Sequence, residues 1–309
     1  MRKRLKQALW DASPALFNIV TRPRRGQMFS IGIYEGRSPF TLASHPEIAN
    51  PILTRESITD VPAAFVADPF MVRHRDAWHV FFEILNEATR LGQIGVATSS
   101  NGRDWRYAKT VLVEPFHLAY PHVFSANGEF YMVPDTPDQG VLMYKAVDFP
   151  QRWQRTHTLL SGGRFSDSSI FQHGGSWWML TAWSLGRSNL KSLRLYYADE
   201  PTGPWREHPQ SPVLEPNESG SRPAGRVVVN DGHPVRFAQD GFPKYGSRVR
   251  AFEILELSRL RYVERELNGR PVLQGSGNGW NAHGMHHVDA HEIGDDTWFA
   301  CVDGWYSTP

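Results

Sequence analysis

Two acidic residues stand at matching places in the chain. Asp68 opens DPFMV and Asp167 opens DSSIF. Each heads an apolar run that is followed by a turn and a second apolar run. Carboxyls gathered at one point could cleave or transfer a glycosyl bond. One removes a proton or attacks as the nucleophile, and the other donates a proton or positions its partner. The proton donor needs a raised pKa, which an apolar wall supplies. Glu83, Asp135 and Asp303 end the second runs of three such segments and join the candidates. We assign Asp68 as base or nucleophile, Asp167 as a second carboxylate, and Glu83 or Asp135 as the acid.

Other residues have types suited to holding a sugar. Tyr120 falls at the place that Asp68 and Asp167 occupy in their own segments. Arg226 and Arg236 could grip a carboxylate or phosphate with two-pronged hydrogen bonds, so an anionic sugar is among the expected ligands. Gln239, Asp240, His286, His287 and Asp303 add polar contacts, and Trp305 and Trp280 offer stacking faces. His287, Asp289 and His291 alternate and would share one strand face. Close alternating ligands on one strand are a loose metal signal, and no metal is expected there. The chain has no G-x-S-x-G elbow, P-loop or dinucleotide fingerprint, so no cofactor is expected.

A repeat positions these residues. Residues 67–83, 120–135, 167–182, 225–240 and 287–303 each read as an apolar strand, a polar turn and a second strand. That is a β-hairpin pattern. Residues 94–107, 140–154, 193–207 and 249–264 supply a further strand pair after the first four hairpins. The fifth hairpin lacks one, but residues 29–42 near the other end have the same pattern. The recurrence, about 50–60 residues, suits a four-stranded propeller blade. The prediction is an all-β, five-bladed β-propeller over residues 28–309, closed by N-terminal strands pairing with the C-terminal hairpin. Trp78, Trp177, Trp178 and Trp298 recur at or near the hairpin turns, as core between blades.

Composition narrows the function. The 309 residues carry 33 Lys+Arg against 32 Asp+Glu, and no general basic face for nucleic acid is expected. The single Cys excludes an internal disulfide framework and a cysteine-based zinc site. No 18-residue apolar run suggests a membrane span. Residues 1–27 are a basic extension in which Leu5, Leu9, Trp10, Leu16 and Ile19 could share one helix face. Peripheral membrane contact is one use for such a segment. Asp11 and Pro14 interrupt what would be a signal-peptide core, so a cytoplasmic location is expected.

Residues 67–72 and 78–83, EPFHLAYPHVF with FYMVPD, and SRPAGRV with RFAQD resemble the N-terminal domain of plant glucosamine inositolphosphorylceramide transferases. The resemblance covers roughly residues 28–305. That domain is in turn similar to the five-bladed propellers of glycoside hydrolase families 43 and 32. Those hydrolases imply a base or nucleophile in blade one, matched by Asp68, a pKa-setting Asp in blade two, and a Glu acid in blade three. The second position falls on Tyr120-Pro121 and the third near Asp167, an Asp rather than a Glu. Family members often carry Glu where this chain has Asp135. The expectation is a glycosidase or transglycosidase acting on a glycan or glycoconjugate. The alternatives are a non-catalytic carbohydrate-binding or scaffold propeller in polysaccharide or glycolipid biosynthesis, and a protein-interaction propeller.

Overall fold

The computed structural model describes residues 26–186, 190–267, 269–294 and 296–308. The amphipathic face expected within residues 1–19 lies outside them. Five antiparallel sheets account for the fold, and each takes up one of the repeats. In chain order, β1 (Gln27–Gly36) and β2 (Ala43–Ser44) come first. Blade one follows as β3 (Ala63–His74), β4 (Ala77–Asn86), β5 (Gly92–Ser99) and β6 (Arg106–Leu112). Blade two is β7 (Ala119–Ala126), β8 (Glu129–Asp135), β9 (Val141–Asp148) and β10 (Arg152–Leu160). Blade three is β11 (Arg164–His173), β12 (Ser176–Ser184), β13 (Lys191–Ala198), β14 (Arg206–Glu207) and β15 (Leu214–Asn217).

Blade four is more divided: β16 (Ser219–Pro223), β17 (Val228–Asn230), β18 (His233–Asp240), β19 (Arg248–Leu257), β20 (Tyr262–Glu266) and β21 (Leu273–Gln274). Its first strand is split because residues 224–227 interrupt it, and β16 and β17 each pair with β18. Blade five has the order β22 (Gly284–Gly294), β23 (Thr297–Ser307), β1, β2. The first described strand therefore pairs with the last, from Gln27 opposite Ser307 to Gly36 opposite Trp298.

Alternating apolar residues on these strands are buried between blades rather than within one sheet. Phe81, Ile94 and Val96 of blade one pack on Val123, Met132 and Tyr144 of blade two. Val133 and Met143 meet Phe165, Ile170 and Met179 across the next seam. Trp178, Leu180 and Leu195 meet Val227, Ile254 and Tyr262. Phe237 and Ala251 meet Val288 and Val302. The fifth seam joins Ile31, Ile33 and Phe299 of blade five to Met71, Val80 and Phe82 of blade one. Trp78 and Trp298 are among these seam residues, as the turn-tryptophan pattern predicts.

Candidate functional site

The innermost strands share an irregularity at one end of the axis. In blades one, two and three the ladder skips between Ala67 and Phe70, Ala119 and His122, and Ser166 and Ser169. Two residues there oppose one on the partner strand, which is a β-bulge. The first bulge residue is Asp68, Tyr120 or Asp167, and each has a left-handed backbone with φ of 52°, 45° and 53°. Non-glycine residues rarely adopt that conformation, and it turns their side chains out of the regular alternation. Asp68, Tyr120 and Asp167 thus occupy one structural position in three blades. Asp303 differs from the register read in the sequence. Trp305, not Asp303, lies opposite the residue before the blade-five bulge, while Asp303 pairs with His287.

A cleft opens over these bulges. Asp68 and Glu83 of blade one, Asp135 of blade two, Lys191 of blade three, Arg222 of blade four and His286 of blade five all line it. Phe29, Phe65 and Leu85 give it an apolar flank. Asp68 is 5% exposed and Asp135 is 7% exposed, and each keeps one oxygen without a hydrogen bond. Burial, the largest influence, pushes the Asp68 carboxyl up to about 7, and the Asp303 and Asp167 carboxylates add to it against His286. Burial likewise lifts Asp135 to about 7, helped by Asp167 and opposed by Lys191 and Arg222.

Asp167 stands behind the lining and is held by Arg222. The Arg222 Nε contacts its Oδ2, and the Gln239 amide approaches the same oxygen at 3.4 Å. Asp303 also sits behind the lining and collects donors. The Asp68 N–H reaches its Oδ2 at 3.0 Å, and the His286 N–H and Nδ1 reach its Oδ1 at 3.2 and 2.7 Å. Burial alone would raise Asp303, but His286 above all holds it below the usual carboxylate range. His286 is raised in turn: Asp303 outweighs the burial that opposes its charge. Its Nε2 lies 3.1 Å from the Tyr245 hydroxyl and 3.7 Å from Asp68 Oδ1. Glu83 lies at the cleft edge, 3.4 Å from His117 Nε2.

Several sequence candidates do not reach the cleft. Tyr120 is wholly buried beneath it, where its hydroxyl accepts from the Gly225 N–H at 2.7 Å and donates within reach of the Gly225 carbonyl at 3.0 Å. Arg226 lies on the axis, bonded to Asp289 Oδ1 at 2.8 Å and to the carbonyls of Val123 and Met71. Arg236 is spent inside blade four on both oxygens of Glu264, at 2.5 and 2.6 Å. Asp240 is taken by Ser219, Arg250 and Arg248. His287 is fully buried with its ring edge-on to Phe70 and Tyr120, and burial lowers it to about 4. Trp305 is a buried wedge that donates to the Gly246 carbonyl at 2.8 Å. Gln239 remains only as a support behind Asp167.

Lys191 was not legible in the sequence as a site residue. It opens β13, with no sequence motif around it. Arg164 and His117 were missed similarly, from loop-to-strand junctions that the blade closes onto the cleft. As for metals, Asp289 is engaged by Arg226 and by His291 at 3.0 Å. Among the described residues Asp68, His286 and Asp303 offer three ligand atoms within 4.8 Å of one another. His286 already spans Asp303 and Tyr245, which a cation would have to displace.

The chain is similar to known proteins over this whole ring. The family model described as glucosamine inositolphosphorylceramide transferase 1, N-terminal, matches residues 22–305. The glucosamine inositolphosphorylceramide transferase 1 of Oryza sativa subsp. japonica is 34% identical over 297 residues, covering 89% of this chain and 40% of the rice protein. That of Arabidopsis thaliana is 33% identical over 296 residues, covering 89% and 39%. The chain thus spans about two fifths of the length of these relatives. Among solved structures, a thermostable family-43 glycoside hydrolase superposes with a TM-score of 0.58 at 13% identity, covering 84% of this chain and 92% of that one. The β-1,2-mannobiose phosphorylase of Listeria innocua gives 0.63 at 12% identity, covering 88% and 96%. Such distant likenesses establish the propeller fold. With the match reaching all five blades, the chain belongs to the family of glucosamine inositolphosphorylceramide transferase 1 N-terminal regions.

Proposed function

We propose that this propeller acts on a glycosyl bond of a glycoconjugate, by hydrolysis or transfer, with Asp68 and Asp135 as the reacting carboxyls. The observation that carries this reading is their convergence. Two buried carboxyls from separate blades line one cleft, and each has an oxygen without a hydrogen bond. Both are lifted to about 7, so near neutral pH one can hold a proton while the other has lost its own. Breaking a glycosyl bond needs that division of labour: a proton for the leaving oxygen and a base or nucleophile at the anomeric side. Asp167, paired with Arg222, stays behind them and adds to the rise of both. Asp135 in blade two then supplies the proton that a blade-three Glu supplies in the hydrolases the chain resembles.

The family supports a glycoconjugate as the ligand, since the relatives are named for glucosamine and inositolphosphorylceramide. The test is conversion of a panel of glycolipids and oligosaccharides, read by mass spectrometry. Asp68→Asn and Asp135→Asn should each lower turnover by about 10²–10⁴-fold, the usual worth of a general acid or base. Unchanged turnover in both variants, or binding without turnover across the panel in the wild type, contradicts the reading.

A further inference from the structure

We propose that Lys191 and Arg222 form a seat for a phosphoryl group carried by the substrate of this cleft. The inference rests on the reading of the cleft as a glycoconjugate site and names the substrate's anionic part. Lys191 is 8% exposed, yet it lines the cleft at the head of β13. Its ammonium contacts the Ser166 hydroxyl, and among the described residues no carboxylate lies within 4 Å of it. A buried ammonium held by one neutral hydroxyl is costly and calls for an anion. Burial above all, with Arg222 nearby, lowers it to about 8, against the Asp135 and Asp167 carboxylates that favour its charge.

Arg222 faces the same space from blade four. Its Nε is committed to Asp167, and its guanidinium lies 5.3 Å from the centre of the Tyr245 ring. Among the described residues its two Nη groups have no hydrogen bond within the protein and remain for the cleft. Arg164, paired with Asp138, adds a third cation to this wall. The acceptor sites of a carboxylate lie in one plane, whereas these donors come from three strands, β11, β13 and β16, in two blades. A phosphoryl group offers three oxygens, enough for the ammonium, the guanidinium and the Ser166 hydroxyl together. The sequence placed anion recognition on Arg226 and Arg236. Both are consumed by internal carboxylates, and the anion-facing cations are Lys191 and Arg222 instead.

Calorimetric titration of the full chain with glucose 1-phosphate, glucose, glucuronate, inorganic phosphate and phosphatidylinositol-containing vesicles tests this. Glucose 1-phosphate should bind, and glucose and glucuronate should bind at least about tenfold more weakly, the scale of a charge-assisted contact. Lys191→Met should weaken glucose 1-phosphate by a similar factor, and Lys191→Arg should keep most of the binding. Preference for the vesicles or for inorganic phosphate, with the same Lys191 dependence, supports the seat and identifies the source of the group. Equal binding of glucose and glucose 1-phosphate by the wild type overturns the proposal without recourse to any variant. So does tighter binding of glucuronate. Turnover and binding are read apart: phosphoryl-dependent binding without turnover contradicts only the glycosyl reading, and turnover with equal binding of glucose and glucose 1-phosphate contradicts only the seat.

Discussion

At the scale of residues, the cleft holds two carboxyls whose charge the fold disfavours. Asp68 and Asp135 both stand near 7 folded and near 4 unfolded. A raised carboxyl pKa contributes stability below the unfolded value, and that stability is lost as pH rises through the folded value. His286 is raised and loses stability in the same direction, while His287 and His122 are lowered and act oppositely. The difference between variant and wild type isolates the carboxyl. Asp68→Asn should melt several degrees higher than the wild type at pH 8, on the order of 1–4 kcal/mol, with little difference at pH 4. A variant that melts lower at pH 8 contradicts the assignment. Asp68 was legible because an acid before an apolar run has few partners to absorb it. Arg226 and Arg236 misled because their carboxylates, Asp289 and Glu264, come from strands that sequence spacing does not connect to them.

At the scale of elements, the bulges set which side chains meet. Tyr120 shares its place with Asp68 and Asp167, but its longer side chain passes under the cleft to Gly225. Gly225 sits at φ 132°, where an added Cβ would lie 1.7 Å from the Val288 carbonyl oxygen. That approach requires glycine. Tyr120→Phe leaves the Gly225 N–H without its partner and should cost about 1–3 kcal/mol in urea unfolding. A loss below about 0.5 kcal/mol would show that the hydroxyl does not brace blade four. The hairpins were legible because strand alternation and turn chemistry are local signals. The register at Asp303 was not: a bulge inserts a residue without changing the apolar pattern, so Asp303 moves two places from its apparent equivalents.

Considered as a whole molecule, the ring depends on groups that cross the axis. The Arg226 guanidinium starts in blade four and reaches the Met71 carbonyl of blade one, the Val123 carbonyl of blade two and Asp289 of blade five. Asp289 also accepts from the Met71 N–H at 2.7 Å. Arg226→Met would strand a buried carboxylate and should cost about 3–5 kcal/mol. The double variant with Asp289→Asn should lose less than the sum of the single losses, because the two changes remove one shared interaction. Strict additivity in urea unfolding would rule that out. The five blades themselves were legible from the repeat, since each repeat buries its apolar faces only against its neighbours. The plug on the axis was not, because its members are scattered over four blades.

The account turns on Asp68 and Asp135 being a coupled acid and base in one cleft. Carbon-detected NMR of the aspartate carboxyls, assigned with Asp68→Asn and Asp135→Asn and followed from pH 4 to 9, reads this directly. Both carboxyls should titrate with midpoints near 7, and removing either should lower the midpoint of the other. Midpoints near the ordinary aspartate value of about 4 for both would contradict it.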